Sequence, residues 1–236
     1  MNIIIGVNMK KMVLIGGGDI GRGNTTYETK EIDEEIVKMS NLEKPNFLFI
    51  GLASSFSDSY YDIIKKIYKN LGCETVYLKK KNIINNPDIV KDKISNADII
   101  YIGGGDSIKL INEVKEYKLD ILLKEAYKKG TILVGISAGA ILLSKEGFSD
   151  SLILRNESNK HCFIEGINLN DLVICPHYNL NIDKTNELKE QINSRKVYGL
   201  EDCTALKIED NKISIIKSNH EKNVYLLSNN QEEKLN

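Results

Sequence analysis

Three short apolar runs end in turns of glycine and other small residues, and this pattern restricts the possible folds more than any other feature. Met12-Val13-Leu14-Ile15 runs into Gly16-Gly17-Gly18, and Asp98-Ile99-Ile100-Tyr101-Ile102 into Gly103-Gly104-Gly105. Thr131-Ile132-Leu133-Val134 runs into Gly135-Ile136-Ser137-Ala138-Gly139. Runs this apolar suit strands buried on both faces. Two more, Asn46–Ile50 and Glu74–Leu78, lie between them. Helical patterns alternate with the strands: Lys30 to Met39, Ser57 to Leu71, Asp88 to Ile94 after Pro87, and Ser107 to Lys129 with a break near Leu119. In the second of these, Tyr60, Ile63, Ile64 and Ile67 share one face. Alternation of this kind predicts an α/β fold, a largely parallel sheet with helices on both faces. Ligands of such sheets bind at the carboxyl ends of the strands, where the three small-residue turns lie.

The second half reads differently. Leu172–Cys175 is a strand ending in Pro176-His177, and Asp183 to Asn193 is a helix. Short strands follow near the C-terminus: Val197–Leu200, Ala205–Ile208, Ile213–Lys217 and Val224–Leu227, with Glu209-Asp210-Asn211-Lys212 as a hairpin turn. No linker, repeat or low-complexity segment divides the chain, so residues 1–236 are expected to form one domain. Residues 1–10 and the polar residues 229–236 are expected to fray.

Composition removes several classes of function. The 236 residues carry 32 basic and 33 acidic side chains, a net charge of −1, which points to no nucleic-acid or membrane-surface partner. No apolar run approaches the roughly 20 residues that span a bilayer. Met1 to Val7 lacks the basic segment and cleavage site of a signal peptide, so the expected location is cytoplasmic. Cys73, Cys162, Cys175 and Cys203 are scattered without a C-x-x-C pair, suggesting neither a metal site nor a redox pair.

The turn at 135–139 has the G-x-S-x-G form of a nucleophile elbow. A sharp strand-to-helix turn needs small residues beside the serine. It places the hydroxyl at a helix N-terminus, where free N–H groups stabilise an oxyanion. A small-residue turn that merely packs a helix on a sheet has the same sequence. A serine nucleophile requires a base, and the base an orienting acid. Of the three histidines, His177 follows a strand and should stand near Ser137. His161 reads as a surface-loop residue, and His220 lies in the turn from Ser218 to Asn223. Glu201 and Asp202, just past the strand Val197–Leu200, are the candidate acids. The order Ser, His, acid departs from the Ser, acid, His order of α/β-hydrolases, which would require Asp150 or Asp171 as the acid. The Ala138 N–H and the Gly103–Gly105 backbone are candidate oxyanion donors. Gly16-x-Gly18-x-x-Gly21 also matches a dinucleotide fingerprint. The second strand, however, ends in Gly51-Leu52-Ala53-Ser54-Ser55, with no acid to hold a ribose, and no convincing helix follows Gly21.

With Ser137, His177 and Glu201-Asp202 in this order, the chain resembles the dipeptidase E and cyanophycinase family of serine peptidases. The resemblance runs from Ile15–Gly18 through Ile102–Ser107, Gly135–Ala140 and Cys175–Asn179 to Gly199–Ala205. It implies a flavodoxin-like fold of the class I glutamine amidotransferase type, with no metal and no cofactor. It also implies a short peptide substrate and a monomer or homodimer. Carried over by position, Ser137 is the nucleophile and His177 the base. Gly105 is an oxyanion donor, with Asp106 where the family has asparagine. The family's acid is a glutamate; counted from Gly199, its place is filled by Asp202, with Glu201 one residue earlier, and register slightly favours Asp202. Asp150 corresponds to the acid that binds the substrate amino group. Asn186 stands where aspartyl dipeptidases have an arginine that reads an N-terminal aspartate, so strict Asp-X cleavage is not implied. Lys184 could replace that arginine only as a point charge. The other readings are a non-catalytic amidotransferase-like binding protein, or a cyanophycinase-like hydrolase of β-linked peptides.

Overall fold

The computed structural model describes residues 9–21, 23–55, 57–228 and 231–235. Its first part alternates as expected: β1 (Lys11–Ile15), α1 (Lys30–Met39), β2 (Asn46–Ile50), α2 (Ser57–Asn70), β3 (Glu74–Leu78), α3 (Lys80–Asn85), α4 (Pro87–Ser95) and β4 (Ile99–Ile102). Next come α5 (Ser107–Glu116), α6 (Leu119–Lys128), β5 (Ile132–Ile136) and α7 (Ala138–Leu143). The break between α5 and α6 falls at Lys118, whose left-handed φ of 55° ends the helical path. The second part holds β6 (Glu146–Ser149), α8 (Ser151–Leu154), β7 (Cys162–Glu165), β8 (Val173–Pro176), α9 (Ile182–Gln191), β9 (Val197–Leu200), β10 (Thr204–Glu209), β11 (Lys212–Lys217), β12 (Val224–Ser228) and β13 (Gln231–Leu235).

The described strands form two sheets. The first has the order β11-β10-β1-β5-β4-β2-β3. Its five strands from β1 to β3 are parallel, and β10 and β11 add an antiparallel edge. The second sheet has the order β13-β12-β9-β8-β6-β7, with β6, β8 and β9 parallel. Alternate residues of the first sheet enter two cores. Val13, Ile15, Phe47, Phe49, Tyr101 and Val134 pack with Ile32 and Ile36 of α1 and Ile64 and Tyr68 of α2. Leu14, Leu48, Ile100 and Leu133 pack with α4 to α7. Helices therefore cover both faces. A third core joins the second sheet to α9 through Phe148, Cys175, Leu188 and Val197.

Two expectations about the termini fare differently. Residues 1–8 lie outside the described residues, and Lys10 trades hydrogen bonds with Asp210 at 3.0 and 2.7 Å. At the other end, Gln231–Leu235 does not fray; it pairs antiparallel with β12. Backbone pairing and the packing of Leu235 supply what the polar sequence hides, and Glu232 adds an ion pair of 2.8 Å to Lys189. Among the described residues no helix is long and apolar enough to cross a membrane.

Strand order positions the site. β1, β5 and β4 are neighbours, so Gly16–Gly18, Ser137 and Gly103–Gly105 emerge side by side. β8 and β9 are neighbours in the second sheet, so His177 and Asp202 emerge together. Backbone bonds stitch the two edges, His177 N–H to Gly16 O at 3.1 Å and Cys203 N–H to Gly17 O at 3.0 Å, while Gly16 N–H to Thr204 O at 2.9 Å extends the β1–β10 pairing.

Candidate active site

Ser137 caps β5 with φ 54° and ψ −114°, a backbone region that side chains rarely adopt and that elbows use to raise a hydroxyl. Its neighbours must be small. A Cβ on Gly135 would run into the Gly139 carbonyl, and one on Gly139 into the Ile102 carbonyl. The Ser137 Oγ lies 2.9 Å from His177 Nε2, and His177 Nδ1 lies 2.6 Å from Asp202 Oδ1. The three side chains form one hydrogen-bonded row. Burial pushes the Asp202 carboxyl up, but the His177 hydrogen bond and the charges of His177, Lys222 and Lys184 outweigh it and leave its pKa below the ordinary value.

Glu201, the other candidate acid, turns away from the imidazole. Its Oε2 accepts the Asn223 N–H at 2.7 Å and its Oε1 accepts from Asn179 Nδ2 at 3.3 Å. It is a buried staple between loops, not a partner of His177. Register, one residue along the loop, decides between the two acids.

A cavity of about 270 Å³ opens over Ser137 and His177. Gly17, Gly18, Gly104 and Gly105 form its floor, and Ile20, Tyr60, Leu154 and Asp150 are among its other walls. Gly105 has φ 139°, and a Cβ there would meet the Ala53 carbonyl, so only glycine lets this turn pass beside Ser137. Ala138 begins α7 directly after the serine. The Asp150 carboxylate, half-buried, has no hydrogen-bond or ion-pair partner among the described residues.

Three expectations need correcting. Asn186 is exposed on α9 and is not among the residues that line the cavity. Lys184 is buried, with its Nζ on the Pro176 carbonyl at 2.7 Å, so it braces the end of β8, and it is not among the residues that line the cavity. His161 is not a surface residue. Its ring and backbone N–H both meet Glu187 Oε2 at 2.8 Å and its ring stacks on Phe148, because β7 packs against α9 there. His220 is exposed in its turn, and Asp171 lines a separate cavity with Tyr127 and Asn168.

Sequence reasoning missed the work of Gly17. A Cβ on this residue would strike the Asp202 carboxylate and the His177 ring. The first glycine run is therefore packed under the His-Asp pair. Beyond it an isolated bridge joins Ile20 to Tyr27, and among the described residues no helix precedes Lys30. Both facts leave the dinucleotide fingerprint without its structural context.

Residues 12–216 match the family model described as Peptidase family S51. An uncharacterized peptidase, YgaJ, of Bacillus subtilis is 30 % identical over 203 residues, 84 % of this chain and 83 % of that protein. A Peptidase E of a Nostoc species is 27 % identical over 94 % of this chain and 91 % of its own. Among solved structures, a peptidase from an acI-B1 Actinobacterium superposes with a TM-score of 0.73 at 22 % identity, covering 97 % of this chain and 95 % of its own. The expected class I glutamine amidotransferase-like α/β fold holds. By the span of that family match and the identity shared with its relatives, the chain belongs to Peptidase family S51.

Proposed function

We propose that the chain hydrolyses short peptides that carry a free amino terminus, with Ser137 as nucleophile, His177 as general base and Asp202 as the orienting acid. The observation that carries this reading is the unbroken row Ser137–His177–Asp202, with spacings of 2.9 and 2.6 Å. Ser137 Oγ attacks the scissile carbonyl carbon while His177 Nε2 takes its proton. The C–N bond breaks as the imidazolium returns that proton to the leaving amine. Water then enters and gives a proton to His177 as its oxygen attacks the acyl carbon; the ester C–O bond breaks and the imidazolium returns the proton to Ser137 Oγ. Asp202 holds the Nδ1–H tautomer and favours the imidazolium. The N–H groups of Ala138 and Gly105 are the proposed oxyanion donors, and a developing negative charge at the α7 N-terminus is favoured.

Asp150 is the proposed anchor for the substrate's ammonium group, because it is a carboxylate on the cavity wall with no partner among the described residues. The cavity lies just below the ~300–1,000 Å³ typical of small-molecule sites, which favours a short peptide over a polymer such as cyanophycin. With Asn186 outside the cavity and Lys184 engaged, no described cation reads an acidic side chain, so dipeptides with neutral N-terminal residues are the expected substrates. Parts from both sheets meet in one site, which supports a single working domain. The four cysteines are free, which supports a reducing compartment such as the cytoplasm. A dipeptide panel tests the substrate class. Neutral-first dipeptides should be cut, and N-acetylation should raise KM at least tenfold; equal turnover of acetylated and free peptides would remove Asp150 from the reading.

A further inference from the structure

A buried ring of hydroxyl groups lies beside the cavity and takes no part in the triad. Ser107, Ser149 and Ser151 are 2 %, 2 % and 0 % exposed. The Ser107 N–H donates to Ser151 Oγ at 2.8 Å, Ser151 Oγ lies 2.9 Å from Ser149 Oγ, and Ser149 Oγ donates to Ser107 Oγ at 3.1 Å. A hydroxyl has a single proton, and that of Ser149 is committed to Ser107, so the Ser151 hydroxyl donates to Ser149. The Ser151 N–H adds a second bond to Ser149 Oγ at 3.2 Å. Buried polar groups are costly unless satisfied, and a satisfied network holds its members rigidly.

The ring joins two segments that line the cavity. Ser107 is the first residue of α5, two residues after Gly105. Ser149 and Ser151 flank Asp150. At the far end of α8, Arg155 Nη1 reaches Asp106 Oδ2 at 3.5 Å and makes a second tie between the same segments. Asp106 Oδ1 meanwhile accepts the Lys109 N–H and caps α5.

We propose that Ser107, Ser149 and Ser151 are positioning residues that fix the Asp150 carboxylate relative to the Gly105 turn. They thereby set how far a substrate's amino group stands from the carbonyl that Ser137 attacks. The inference rests on Asp150 as the ammonium anchor. A neutral fluorophosphonate, which has no amino group, reports on Ser137, His177 and the oxyanion turn alone. Dipeptide KM reports on the anchor as well.

In Ser151→Ala, dipeptide KM should rise about tenfold while the Ser137 labelling rate stays within about twofold of the parent, the loss expected for one buried hydrogen-bonded group. In an Asp150→Asn background the same change should raise KM no further, because the pair acts as one unit. Ser149→Ala should give the same pattern and serves if Ser151→Ala does not fold; Ser107→Ala, which removes only one acceptor, should give a smaller rise. Loss of labelling in parallel with KM, no change in either, or full multiplicative effects in the double variant would each overturn the positioning role. A parent protein whose Ser137 does not label would instead overturn the peptidase mechanism, and this inference with it.

Discussion

Gly17 has no room for a side chain, because the His177 ring and the Asp202 carboxylate occupy the space a Cβ would need. Gly17→Ala should displace the pair and lower kcat at least 100-fold, the scale of loss from a misplacement of about 1 Å. Steady-state kinetics beside a folded far-ultraviolet spectrum check this. The two neighbouring acids should separate cleanly. Asp202→Asn should lower kcat by about 10³–10⁴-fold through the wrong imidazole tautomer. Glu201→Gln should keep kcat within about tenfold yet lower the melting temperature, since it weakens the bonds to Asn223 and Asn179. The depressed Asp202 pKa also has a stability consequence. The folded state binds this proton less readily than the unfolded chain, so its contribution is present above the unfolded pKa and is lost as pH falls through the lower folded value.

Among the elements, α1 carries a group of the opposite sign. Asp33 is fully buried and accepts from Tyr27, Thr29 and Tyr68 at 2.9, 2.8 and 2.7 Å. Burial outweighs these bonds and raises its pKa to about 6. Between about pH 4 and 6 the folded state therefore holds more protons than the unfolded one, and stability from this group falls as pH rises through that window. The full effect is on the order of 3 kcal/mol. Asp33→Asn should flatten this part of the curve of stability against pH, as read by urea unfolding at pH 5 and pH 7; an unchanged slope would show that Asp33 is not its source. The elements that sequence made legible are those with long apolar runs or clear helical periods, such as β1, β4, β5 and α2. β6, α8 and β7 were not, because Glu146-Gly147-Phe148-Ser149 has no apolar run and α8 spans only four residues. The stretch that holds Asp150 and two of the ring serines was therefore invisible as structure.

Across the whole molecule, the site exists where the carboxyl ends of two sheets meet, and the backbone bonds from Gly16 and Gly17 keep them in register. Ser137, His177 and Asp202 were legible because each follows a recognisable strand. The choice of Asp202 over Glu201 and the burial of Lys184 depend on side-chain direction, which pattern alone does not encode. The edge strand β13 pairs with β12, which pairs in turn with β9, the strand leading to Asp202. Deleting residues 229–236 should lower the melting temperature by a few degrees, at about 2–4 °C per kcal/mol, and leave kcat within about twofold, because the bonds at Asp202 itself remain. The most direct measurement compares dipeptide turnover by the parent protein and its Ser137→Ala variant, both verified as folded. Hydrolysis by the parent that falls at least 10³-fold in the variant is the expected result. Equal hydrolysis by the two proteins would contradict Ser137 as the nucleophile and, with it, the mechanism built on the Ser137–His177–Asp202 row.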